Sequence, residues 1–154
     1  MKILKVTDFE TAKKMLNKHK KEKPSKLIVK YYMDGCGACE DFEPKWQNVM
    51  NNLEVPDDFM VLDVESDGQK HLPIPSKMGF PTLSILESTP DGGLNELQEH
   101  VGSMSENKLM NILTKVISEQ NGGKKKKRKS RKKKTKSRRR KNRRTKRSKT
   151  MKRR

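Results

Sequence analysis

Apart from Met151, every residue able to build a core lies before residue 124, and that boundary fixes how much of this 154-residue chain can fold. Residues 124–154 hold 23 Lys or Arg and no acid. Such a segment has nothing to bury and repels itself, so it is expected to stay extended and disordered. The rest of the chain keeps 15 of the 38 basic residues against all 19 acids, together with every aromatic and both cysteines. The net charge of +19 therefore belongs to the tail, and the body is mildly acidic. The expected division is one folded domain over residues 1–121 and a tail over 122–154. About 120 residues bury well over half of their unfolded surface, enough to fold without covalent staples.

Within the body, apolar runs alternate with amphipathic ones. Ile3–Val6 is a short strand, and Thr7 or Asp8 caps a helix with Phe9, Ala12, Met15 and Leu16 on one face. Leu27–Met33 is a nearly continuous apolar run, as a buried central strand should be. A helix from Gly37 to about Asn52 carries Phe42, Trp46, Val49, Met50 and Leu53 as its stripe, with Pro44 expected to kink it. Phe59–Val64 and Thr82–Leu86 are strands, with a short helix near Gln69–Leu72 between them. Pro90-Asp91-Gly92-Gly93 is a turn that lets Leu97–Val101 pair back antiparallel, and a last helix begins at Ser105. The order βαβαβαββα calls for an α/β fold: a central mixed β-sheet flanked by helices on both faces.

Cys36-Gly37-Ala38-Cys39 straddles a strand-to-helix junction. Unpaired N–H groups and the dipole at a helix start favour an anion, and thiolate is the nucleophile of thiol chemistry. Cys39, one turn on, can attack a mixed disulfide formed at Cys36. Gly37 allows a tight turn and close approach of a substrate, and Ala38 keeps the bridge small. Two cysteines this close cannot frame a small secreted scaffold. Met1–Val6 is interrupted by charge before an apolar run develops, so no signal peptide is expected, and no stretch reaches a bilayer span. Cytosol or nucleus is the expected location. A structural zinc site needs about four ligands, and His19, His71 and His100 are not spaced to complete one, so no metal is expected. These histidines are expected at surface or satisfied positions. The acids Asp57, Asp58, Asp63, Glu65 and Asp67 are expected at solvated strand ends. Met33 and Met78 either pack normally or soften a substrate groove.

An ordered set of motifs resembles the thioredoxin superfamily, nearest to thioredoxins and single domains of protein disulfide isomerases. The resemblance covers Leu27–Ile117 and, less closely, Met1–Lys26. It is carried by the strand Ile28–Tyr32 leading into Cys36-Gly37-Ala38-Cys39, by Phe42 and Pro44, and by Val61–Glu65. Gly79-Phe80-Pro81-Thr82 and Val101-Gly102 complete it. The resemblance implies a thioredoxin fold, with Cys36 as attacking and Cys39 as resolving thiol. It also implies a cis Pro81 lying against the pair and blocking metal capture. Substrate would bind across Gly35, Gly37 and Ala38 and along the Phe80 backbone, by strand addition. Partners would be protein disulfides and an unidentified reductant or oxidant that resets the pair, with no bound cofactor and a monomeric chain.

Three departures stand out. Gly35 replaces the usual Trp before the first cysteine, Lys30 stands where members bury an acid, and Val61 replaces the lysine that partners it. Lys30 can tune the pair by Coulomb attraction, act as a base, or snorkel away from it. These departures leave a second reading open, a redox-inactive peptide-binding adaptor. For the tail, 23 cations in residues 124–154 bind nucleic acid or another polyanion without reading sequence, since aromatics for stacking are missing. Nuclear address, nucleic-acid tether and packaging within a virion are all compatible with it. Such endings after a small enzyme domain look similar to those in proteins of large DNA viruses.

Overall fold

Strand β2 (Lys26–Tyr32) is paired on both edges, as its unbroken apolar run demands. The structure, a computed structural model, describes residues 3–120. The polybasic segment 124–154 and the expected boundary after residue 121 lie outside the described residues. The sheet order is β1-β3-β2-β4-β5, with β1 (Leu4–Val6), β3 (Phe59–Glu65), β4 (Thr82–Ser88) and β5 (Leu94–Val101). β3 runs parallel to both β1 and β2, while β4 is antiparallel to β2 and β5 to β4. The expected mixed sheet is present. The register shifts where Ile85 faces Gln98 and Leu86 faces Glu96, leaving Leu97 as the extra residue of a bulge in β5.

Helix α1 (Phe9–Glu22) starts at a reciprocal cap: Thr11 N–H donates to Asp8 Oδ1 at 2.8 Å, and Asp8 N–H to Thr11 Oγ1 at 3.1 Å. It packs Ala12 and Met15 into a cluster with Leu27, Val29, Tyr31, Met60, Leu62 and Val64, which share one face of the sheet. Phe9 corrects the expected helix face. It is 58% exposed and stands edge-to-face with the His71 ring. It sits at the first helical position, where the chain is still turning away from the core.

Helix α2 (Gly37–Asn52) continues through Pro44 and covers the opposite face, burying Phe42, Trp46, Val49 and Met50. The expected short helix is a 3-10 turn over Gly68–His71. The last helix, α3, covers residues 106–120. Ser105 caps it by accepting from Lys108 N–H, and Asn48 of α2 donates to Glu106 at 2.8 Å. Beyond Ile112, where a second unit begins, Leu113 and Val116 are buried among the described residues.

Leu62→Ala should cost about 2–5 kcal/mol, because Leu62 is fully buried in β3. Phe9→Ala should stay within about 0.5 kcal/mol of wild type. Urea unfolding followed by Trp46 fluorescence checks both, and equal losses would mean that Phe9 belongs to the core after all.

Candidate active site

The end of β2 sets the position of Cys36. Beyond Tyr32 the chain leaves the sheet, and Gly35 at φ 69° makes the turn that an L side chain adopts only with strain. Cys36 then caps α2, with its Sγ accepting from Cys39 N–H at 3.3 Å. Both thiols are free; Cys36 is half-buried and Cys39 buried. Burial, reinforced by a hydrogen bond with Cys36, pushes the Cys39 thiol up to about 11, while the Met33 backbone and the Lys30 cation pull the other way.

A second segment meets this helix start from across the sheet. The Phe80–Pro81 peptide is cis, as expected, and the Phe80 carbonyl accepts from the Cys36 thiol at 3.8 Å. Gly102 N–H donates to the Pro81 carbonyl at 2.8 Å, and Thr82 Oγ1 to the Gly79 carbonyl at 2.8 Å. A Cβ on Gly79 would come within 2.9 Å of the Val101 side chain, so only glycine fits that crossing without a shift. Gly35, Gly37 and Ala38 are exposed around Cys36. Met33 and Met78 are exposed as well, Met78 by 96%, so Met78 is not ordinary core packing.

Behind the thiols lies a cluster that sequence reasoning did not assemble. Lys30 is only 2% exposed, which rules out snorkelling. Its ammonium bonds Glu43 of α2 and Asp63 Oδ2 of β3, the latter at 3.1 Å. It also lies 5.3 Å from the Trp46 ring centre and 5.5 Å from that of Tyr32. Asp63, expected at a solvated strand end, is instead buried directly opposite Lys30 in the β2–β3 register. Burial pushes the Asp63 carboxyl up against the pull of Lys30. For Glu43, burial also pushes upward, but hydrogen bonds from Lys30 and Gln47 outweigh it and leave the carboxyl below its usual range. Cys39 and Glu43 are four residues apart, hence on one face of α2. A lysine and an aspartate at the centres of two adjacent apolar strands were the available signal for this pair.

The segment before Pro81 has its own anchor. Lys77, 6% exposed, bonds Glu96 at 2.7 Å and Glu99 at 2.9 Å, and its peptide exchanges two hydrogen bonds with the Gln69 side chain. His19 bonds Ser88 and His71 lies at the surface, as expected, whereas His100 is neither, its Nε2 being buried without a hydrogen-bond partner among the described residues. Among the described residues no group of His, Cys, Asp or Glu is arranged to hold a metal ion, and no helix is long and apolar enough to cross a membrane.

The family model described as Thioredoxin matches residues 4–115. Protein disulfide-isomerases of Triticum aestivum and Zea mays are each 30% identical over 95 residues, covering 59% of this chain and 18% of theirs. The match thus spans under a fifth of those curated relatives. Among solved structures, a mutant thioredoxin from Halobacterium salinarum NRC-1 is similar at a TM-score of 0.53 and 20% identity, covering 75% of this chain and 91% of that one. The thioredoxin of Fasciola hepatica gives 0.51 at 22% identity, covering 75% and 98%. At such identities these structures show the fold, a thioredoxin fold.

Asp63 yields a pH test. Its folded carboxyl sits above the ordinary value of 3.8, so the folded state binds that proton more tightly. Its contribution to stability is therefore greatest below 3.8 and is lost as pH rises through the folded value. Asp63→Asn should flatten this fall, so that the stability difference between variant and wild type changes across that window and is constant above it. Denaturant midpoints measured from below pH 3.8 upward check this, and a difference independent of pH would contradict the burial-raised carboxyl.

Proposed function

The chain belongs to the thioredoxin family, and from that premise we propose that it is a thiol–disulfide oxidoreductase acting on protein disulfides through Cys36 and Cys39. The observation that carries this reading is the Cys36 thiol at the start of α2, receiving the Cys39 N–H and facing the Phe80 carbonyl. The Cys36 thiolate attacks one sulfur of a substrate disulfide, and the other sulfur leaves as a thiolate. Cys39 then loses its proton and attacks the Cys36 sulfur, releasing the second substrate thiolate. The substrate gains two electrons, and the enzyme is left with a Cys36–Cys39 disulfide. An external dithiol resets it, or the sequence runs in reverse and donates the disulfide.

The buried Cys39 thiol holds its proton until this step, so its activation needs help. In this reading the Lys30 cation contributes a small Coulomb attraction toward the thiolate, weaker than the burial that opposes it. Gly35, Gly37, Ala38 and the Phe80–Pro81 segment form the docking surface for an extended substrate strand. Met33 and Met78 add adaptable apolar contact in place of the missing Trp.

Replacing Cys36 by Ser should cut insulin reduction by about three orders of magnitude or more. Cys39→Ser should instead accumulate a mixed disulfide at Cys36, visible by mass spectrometry. Wild-type turnover in the Cys36→Ser variant would sink the mechanism and favour a redox-inactive docking role.

The tail over residues 124–154 completes the reading as a sequence-independent polyanion binder. Deleting it should remove most of the salt-dependent affinity for duplex DNA and leave thiol turnover nearly unchanged. Gel-shift titrations at several salt concentrations measure the first, and insulin reduction the second. Undiminished affinity after deletion would assign the binding elsewhere.

A further inference from the structure

Charge on the folded part is unevenly spread. Residues 9–23 hold six lysines and two glutamates, while the other described residues carry eight lysines against 17 acids. The basic excess falls on α1. Lys13, Lys14, Lys20 and Lys21 are exposed, as is Lys23 at the helix end. Among the described residues none of these five has an ion-pair partner; Lys18 pairs with Glu22 at 3.7 Å. Lys13 and Lys20 are two helical turns apart, as are Lys14 and Lys21, which sets two rows about 10.5 Å long. Both rows lie opposite Ala12 and Met15, the residues that enter the core. Lysines this close repel one another, and among the described residues no carboxylate lies within ion-pair distance of these five.

We propose that the solvent face of α1 is a docking surface for the phosphate backbone of nucleic acid, centred on Lys13, Lys14, Lys20 and Lys21. Phosphates relieve the repulsion and release counterions on binding. Anionic lipid fits less well, because the face has no apolar anchor between its lysines. Phe9, the nearest exposed apolar residue, lies at the far end of the helix against the His71 ring, 5.7 Å between centroids. The surface holds phosphates and reads no bases.

This goes beyond the affinity of the tail, because a surface on a rigid helix orients the domain. α1 packs on the sheet face that bears Val29 and Tyr31, whereas Lys30, on the opposite face, bonds α2. Nucleic acid held on α1 therefore leaves the start of α2, with Cys36, turned away and open. The inference does not depend on the thiol chemistry.

The test uses the full chain and a DNA duplex of about 30 base pairs, long enough to engage many phosphates at once. Limited acetylation followed by mass spectrometry, with and without duplex, should show protection at Lys13, Lys14, Lys20, Lys21 and Lys23 and none at the exposed Lys108. Tail peptides are read separately, so failure of the tail to bind is distinguishable. In the K13Q/K14Q/K20Q/K21Q variant, glutamine keeps the helix propensity near that of lysine. Its plot of log K against log salt should be shallower by about 0.9 for each phosphate left unneutralised, up to about 3.6. Trp46 fluorescence confirms folding. Equal acetylation with and without duplex, together with an unchanged slope, overturns the proposal. Protection by phosphatidylserine vesicles but not by duplex overturns it too, in favour of a membrane surface.

Discussion

An ammonium group shut away from water is the constraint around which this domain is arranged. Lys30 sits in the middle of the central strand and cannot reach solvent, so its charge must be met inside. Asp63 meets it from the neighbouring strand and Glu43 from the helix above. Slipping β2 by one residue against β3 would turn Lys30 into the apolar cluster on the other face and strand Asp63 without a partner. Apolar residues alone would tolerate several registers; the ion pair admits one. Because Cys36 follows β2 by four residues, the pair that fixes the register also fixes where the thiols emerge.

Much of the architecture was legible in the sequence because it rests on local signals. Continuous apolar runs located β2, β3 and β4, and the bounds of α2 came from Gly37 and the apolar stripe ending near Asn52. The cis Phe80–Pro81 peptide and its approach to Cys36 followed from motifs in a known order. What escaped was non-local. Asp63 resembles a strand-end acid until the β2 register places it opposite Lys30, and Glu43 is an unremarkable helix carboxylate until that helix lies over the strand. Lys77 is equally opaque, since its partners Glu96 and Glu99 sit on a strand two connections later. Phe9 failed in the opposite sense, being apolar and in phase with the helix yet one turn too early to reach the core.

Two buried lysines divide the work of holding the site. Lys30 braces the floor beneath Cys39, and Lys77 braces the segment that brings Phe80 to Cys36. Each has two carboxylates, so neither depends on a single partner, and each lies near an aromatic ring of β2 or its surroundings. The exposed lysines of α1 are the contrast: same residue type, no internal partner, and a surface position facing away from the sheet. Within one chain, lysine therefore serves as internal fastener and as external charge, and burial decides which.

The bulge at Leu97, opposite Ile85 and Leu86, has a consequence for crowding. β5 is eight residues long and forms one open border of the sheet, the kind of border that invites a second copy to add on. A bulge bends and twists its strand, and along this one the exposed Asn95 and Glu99 alternate with the exposed Leu97 and Val101. The opposite border, β1, has only three residues to offer. Any scaffold that gathered many copies would press these borders together, and an interrupted β5 ladder at one side with a three-residue β1 at the other would leave little unbroken edge for the gathered molecules to knit into a continuous aggregate.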